Sequence, residues 1–170
     1  PQKVSGRANE RNKAYRRASL MDDNEIVIRK MQEEDIEGIL IVEDRSFTIP
    51  WSKEMFFDEV NNPCAVYYVA LSGENIVAYA GVWFILDEAH ITNIAVDPDY
   101  RNRKIATSLL SKIIEVSREK EIKSLTLEVR DGNISAISLY KQFGFNVEGR
   151  RRGYYSDTQD DALIMWCHLG

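Results

Sequence analysis

The periodicity of the chain changes abruptly after Val96, and this change restricts the possible folds more than any other feature. Before it, three β-rich runs, Val66 to Ser72, Ile76 to Leu86 and Ala89 to Val96, follow one another across connections of only two or three residues. Connections that short join antiparallel neighbours, so the three strands form a meander. After it, Ile105, Leu109, Ile113, Ile114 and Val116 predict a helix over about 102–120, and Ser124 to Arg130 (SLTLEVR) is again a strand. A strand, a helix and a strand in succession make a crossover whose two strands lie parallel. One sheet must hold both arrangements.

The flanking segments extend it. Ile26 to Met31 is a strand pattern, and Glu33 to Phe47, with Ile36, Ile39, Leu40, Val42 and Phe47 apolar, is an amphipathic helix stopped by Pro50. Ser52 caps a second helix that runs to about Val60, before Asn61-Asn62-Pro63. A short helix from Ser135 to Phe143 ends at Gly144, and Phe145 to Tyr155 and Ala162 to Leu169 close the sheet. The sum is a mixed α/β sheet with helices on both faces. With 170 residues the chain forms a single domain over 21–170 and buries roughly 70% of its unfolded surface, so no staple is required. Cys64 and Cys167 are too few for a disulfide framework, and His90 and His168, without CxxC or HExxH spacing, make no zinc site. A reduced, cytoplasmic, metal-free protein is expected.

Charge is placed unevenly. Pro1 to Leu20 carries Lys3, Arg7, Arg11, Lys13, Arg16 and Arg17 against Glu10, whereas 16 basic residues face 26 acidic ones from Met21 onward. The 1–20 head reads as an upstream or vector-derived extension: Tyr15 is its only aromatic, and it lacks the apolar core of a secretory signal. The acidic remainder attracts basic partners and repels free nucleic acid, and neither nucleic acid nor membrane is expected as a partner.

The strongest chemical signal lies where strand becomes helix, in Asn93 to Thr107 (NIAVDPDYRNRKIAT). Unpaired N–H groups at a helix N-terminus bind anions, and Arg101, Arg103 and Lys104 add charge. A diphosphate suits such a turn. So does plain solvent.

The stretch IAVDPDYRNRKIATSLL resembles the acyl-coenzyme-A-binding motif of the GNAT superfamily of N-acetyltransferases: Arg or Gln, two variable residues, Gly, one variable residue, then Gly or Ala. LEVRDGNISAISLYKQFGF (Leu127 to Phe145) and RSFTIPWS (Arg45 to Ser52) resemble its RimI branch, the N-terminal acetyltransferases of ribosomal-protein alanine. The resemblance implies the GNAT fold: an α/β (α+β) sheet of six to seven mostly antiparallel strands with a splayed central parallel pair and about four helices on both faces. It also implies acetyl-coenzyme A as cosubstrate, its pantetheine arm paired to the backbone of Ile94, Ala95 and Val96. Arg101, Asn102, Arg103, Lys104, Ile105, Ala106 and Thr107 would cradle the pyrophosphate, with Asn133 a further contact, although Asn133 also suits an ordinary helix cap. Lys104 stands where the motif has its first glycine. An ordinary helix start without positive φ is expected there, so that the lysine's charge outweighs the lost glycine.

Glu128 lies among Leu125, Leu127 and Val129, where a lone carboxylate is costly, and a salt bridge to Arg130 is one reading of it. The resemblance implies another: Glu128 is the general base for the substrate amine, and Tyr140 the general acid for the departing thiolate. Tyr140, at helical spacing with Ile137 and Phe143, is also readable as core. Phe47, Pro50 and Trp51, with Tyr154 and Tyr155, resemble the walls of a groove for an extended N-terminus, or else seal the sheet edge. Glu43, Asp44, Asp157, Asp160 and Asp161 would suit a basic peptide, and Arg150, Arg151 and Arg152 argue against a uniformly acidic groove. The implied function is acetylation of the N-terminal alanine of a basic ribosomal protein. Broader N-terminal acetylation and a non-catalytic acyl-coenzyme-A sensor are the alternatives.

Overall fold

The computed structural model describes residues 25–170, so the basic head and Met21 lie outside the described residues. Among the described residues seven strands form one sheet in the order β1-β2-β3-β4-β5-β7-β6. They are β1 (Ile26–Lys30), β2 (Ala65–Ser72), β3 (Asn75–Ile85), β4 (Glu88–Val96), β5 (Ser124–Arg130), β6 (Asn146–Arg151) and β7 (Ala162–His168). The helices are α1 (Ile36–Ser46), α2 (Lys53–Asn61), α3 (Ile105–Glu119) and α4 (Ile134–Gln142). All pairings are antiparallel except β4 with β5, as the crossover requires.

Each face of the sheet has its own core. Ile36, Ile39 and Val42 of α1 and Phe56 of α2 pack on Tyr67, Val69 and Tyr79. On the opposite face, Ile105, Leu109, Leu110 and Ile113 of α3 pack on Leu125, Leu127, Val129 and Met165, with α4 alongside. Because successive strand residues alternate between faces, Thr126, Glu128 and Arg130 point toward the α1/α2 side.

The parallel pair holds only at Glu88, Ala89 and His90, opposite Ser124, Leu125 and Thr126, and then opens. Two features part the strands. Gly81 pairs with Asn93 while Val82 pairs with Ile91, so Thr92 is an extra residue that bends β4. β5 stays bound to β7 along its whole length, from Ser124 opposite His168 to Arg130 opposite Ala162.

The start of α3 departs from the expectation. The helix begins at Ile105, and Lys104 is its N-cap in the left-handed region at φ 59, with Asn102 also left-handed at φ 62. The reason is the turn that precedes it. Asp97 accepts from the Asp99 N–H at 2.9 Å, Tyr100 is buried, and Arg101 Nε donates to the Val96 carbonyl at 3.2 Å. Three residues, Asn102 to Lys104, are then left to redirect the chain into the helix. From α1, Arg45 clamps the same turn, at 2.5 Å from the fully buried Asp97 and 2.8 Å from Asp99.

Candidate active site

Where β4 and β5 part, a groove of about 810 Å³ opens. Ile94, Ala95 and Val96 form one side, and from Ile91 onward the edge of β4 turned toward β5 has no strand partner among the described residues. Its backbone N–H and C=O groups are therefore available to an extended, amide-containing ligand. Arg101, Asn102, Lys104, Ile105, Ala106 and Thr107 close one end, where α3 begins with the unpaired N–H groups of a first turn that holds no acidic residue. Asn133 and Tyr140 of the α4 segment and Phe47 of the α1–α2 loop also line it. A long groove with an open strand edge and a basic helix N-terminus fits the pantetheine arm and diphosphate of acetyl-coenzyme A. Arg103 is not among the lining residues: its guanidinium sits 4.9 Å over the Tyr100 ring. Asn133 both lines the groove and caps α4, accepting from the Ala136 N–H at 3.3 Å.

Glu128 sits on β5 just past its last paired position with β4, on the α1/α2 face and outside the groove lining. Its partner is not Arg130, which is taken by Asp157 at 2.8 Å and Asp160 at 3.1 Å. Instead, Glu128 Oε2 lies 2.8 Å from His90 Nε2, and Oε1 lies 3.6 Å from Arg151 Nε. The hydrogen bond to His90, against the opposing effect of burial and with help from Arg151, holds the Glu128 carboxyl below the usual carboxylate range. Tyr140 is pushed up to about 12 by burial, and its hydroxyl has no hydrogen-bond partner among the described residues. At neutral pH the site thus holds an ionised carboxylate and a protonated phenol.

Sequence reasoning considered His90 only as a metal ligand and missed it as a partner of Glu128. The period-two alternation puts it on the same face as Glu128, but only the parallel register, His90 beside Thr126, brings the two together.

The aromatic residues expected as groove walls occupy varied settings. Phe47 and Tyr154 are exposed, as is Pro50. Trp51 packs on Phe56 at 5.4 Å, and Tyr155 lies against Tyr154 at 5.2 Å, with the Arg130 guanidinium 3.9 Å above its ring. The expected acidic surface for a basic peptide is largely spent internally. Asp157 and Asp160 hold Arg130, Asp161 holds Arg150 at 2.8 Å, and Glu43 is only 2% exposed, accepting from the Tyr79 hydroxyl and the Trp51 N–H. Neither Cys64, which is exposed, nor Cys167, which is buried, lines the groove.

Comparison with known proteins identifies the family. The family model described as "Acetyltransferase (GNAT) family" matches residues 36–145. A Bacillus subtilis protein named putative ribosomal protein bS18-alanine N-acetyltransferase is 42% identical over 140 residues, covering 82% of this chain and 93% of the relative. The Escherichia coli K12 ribosomal protein bS18-alanine N-acetyltransferase is 34% identical, covering 81% and 94%. The crystal structure of the ribosomal-protein-S18-alanine N-acetyltransferase from Escherichia coli superposes with a TM-score of 0.81 at 32% identity, covering 86% of this chain and 95% of the other. The chain belongs to the GNAT acetyltransferase family.

Proposed function

We propose that the protein transfers the acetyl group of acetyl-coenzyme A to the α-amine of an N-terminal alanine, on a ribosomal protein of the bS18 kind named for its relatives. The observation that supports this reading is geometric: where β4 and β5 part, Tyr140 lines the groove, and Glu128, held 2.8 Å from His90, stands just past the last β4–β5 pair, and we take the two as general acid and general base.

Acetyl-coenzyme A supplies the activated thioester when bound. The chain's own groups position and exchange protons around it. The free amine attacks the acetyl carbon, the C–N bond forms as the C–S bond breaks, Glu128 takes the proton the amine sheds, and the Tyr140 hydroxyl protonates the sulfur. Unpaired N–H groups on the open edge of β4 are placed to stabilise charge on the acetyl oxygen. His90 and Arg151 keep Glu128 ionised and oriented rather than strongly basic. A modest base suffices for an α-amine, whose ordinary pKa of about 7.7 to 8.0 leaves roughly a tenth of it free near neutrality, against far below 1% for lysine. Direct transfer also agrees with the placement of Cys64 and Cys167 outside the groove.

The test is mass spectrometry of peptides with a free N-terminal alanine and an internal lysine, incubated with enzyme and acetyl-coenzyme A. A single acetyl group on the α-nitrogen is expected. Acetylation of lysine Nζ, or none of the α-amine, would overturn the reading.

A further inference from the structure

Glu59, near the end of α2, is a half-buried carboxylate that this mechanism does not use. Its Oε2 accepts two hydrogen bonds, from the Tyr67 hydroxyl at 2.8 Å and the Trp83 indole N–H at 2.7 Å. Both donors are neutral, so among the described residues no cation compensates the negative charge and Oε1 has no partner. The carboxylates around the neighbouring Glu128 are placed differently: Glu128 has His90 and Arg151, Asp157 and Asp160 share Arg130, and Asp161 has Arg150. Glu59 has no cation within ion-pair distance among the described residues.

The carboxylate is held firmly. A Cβ at Gly81 would lie 2.4 Å from the Tyr67 ring and 2.7 Å from Thr92 Oγ1, so the glycine is what lets Tyr67 lie over β3 and reach Glu59. Trp83, the other donor, pairs across strands with His90, the two rings 6.3 Å apart, and His90 touches Glu128 on the next strand. Trp83 stands two strand spacings from Thr126, and Glu128 lies two residues beyond Thr126 along β5, so Trp83 and Glu128 are about 12 Å apart. An extended peptide advances roughly 3.3 to 3.6 Å per residue. With its α-amine at Glu128, a long side chain on its second or third residue reaches the Trp83 side of the sheet.

We propose that Glu59 is a specificity residue, pairing through its open carboxylate oxygen with a lysine or arginine at the second or third position of the substrate N-terminus. This rests on the reading that the substrate is a peptide α-amine. It also returns the preference for a basic substrate to a group other than the acidic residues first expected to provide it. A cation there completes a charge that has no ion pair among the described residues, with the two neutral donors fixing its direction.

The experiment compares N-terminal alanine peptides carrying arginine, or its neutral near-isostere citrulline, at position two and at position three. For the wild-type protein, kcat/KM should favour arginine at one of these positions by about tenfold, mostly through KM, and the preference should shrink as salt is raised. Glu59→Gln retains an acceptor for Tyr67 and Trp83 and should bring the arginine-to-citrulline ratio close to one. Trp83→Phe removes a neutral donor but leaves the charge, and should keep the preference. Equal losses on both peptides in Glu59→Gln, or no wild-type preference at either position, would overturn the assignment while leaving N-terminal acetylation standing. Absence of α-amine acetylation by the wild-type protein would overturn the underlying reading and this one with it.

Discussion

Replacing Lys104 by glycine separates two effects that act at the same residue. Lys104 sits at φ 59, where an L-residue carries a Cβ penalty of about 1–2 kcal/mol that glycine escapes. Glycine in turn makes the unfolded chain more flexible, at a cost of roughly 0.5–1 kcal/mol. The balance favours Lys104→Gly by about 0.5–1 kcal/mol, which for a domain of this size raises Tm by roughly 1–4 °C. Lys104→Ala is the control: it removes the charge and keeps the Cβ, so it should show little of this gain. The exposed ammonium beside the groove should aid a bound diphosphate, and both variants should bind acetyl-coenzyme A about three- to tenfold more weakly at low salt, the gap closing at high salt. Because both substitutions remove the same charge, glycine and alanine variants should bind alike. Thermal unfolding and calorimetric titration of all three proteins at two salt concentrations provide the readout. A glycine variant no more stable than the alanine variant would refute the strain argument. Binding by glycine tighter than wild type at both salt levels would show that the lysine obstructs the cradle.

Glu128→Gln should lower turnover by about 10² or more at neutral pH, with acetyl-coenzyme A affinity nearly unchanged by titration, and rising pH should partly restore it as the amine deprotonates unaided. Since the Glu128 carboxyl is held below its usual range, the wild-type acid limb should follow the α-amine, and kcat/KM measured from pH 6 to 8 should rise with the amine's ionisation. Tyr140→Phe should slow transfer less when the acyl donor has a more acidic thiol. With its phenol at about 12, the wild type should show no alkaline loss traceable to Tyr140 below about pH 10. Arg45→Met leaves Asp97 buried without its ion-pair partner and should cost about 3–5 kcal/mol in denaturant unfolding, because the turn before α3 loses its clamp.

Much of the fold was legible from local pattern. The switch of period after Val96 implied the parallel crossover, Ser52 marked the start of α2 and does accept from the Met55 N–H at 3.4 Å, and the alternation Leu125, Leu127, Val129 placed Glu128 on the opposite face of β5. These features depend on backbone geometry over a few residues, so a single sequence carries them. Other features were decided only when distant segments met. Arg130 was a candidate partner for Glu128, yet it pairs with Asp157 and Asp160, leaving Glu128 to His90, thirty-eight residues away. The acidic run expected to be open to a basic peptide is neutralised by arginines from β5 and β6, while Glu59, which attracted no notice in sequence, has no ion pair among the described residues because its two partners are an indole and a phenol. Lys104 reads as an ordinary helix residue until the turn from Asp97 to Arg101 leaves it three residues in which to reverse. Each of these outcomes follows from strand register and turn closure, and both are set by the summed packing of two cores rather than by the residues that finally touch.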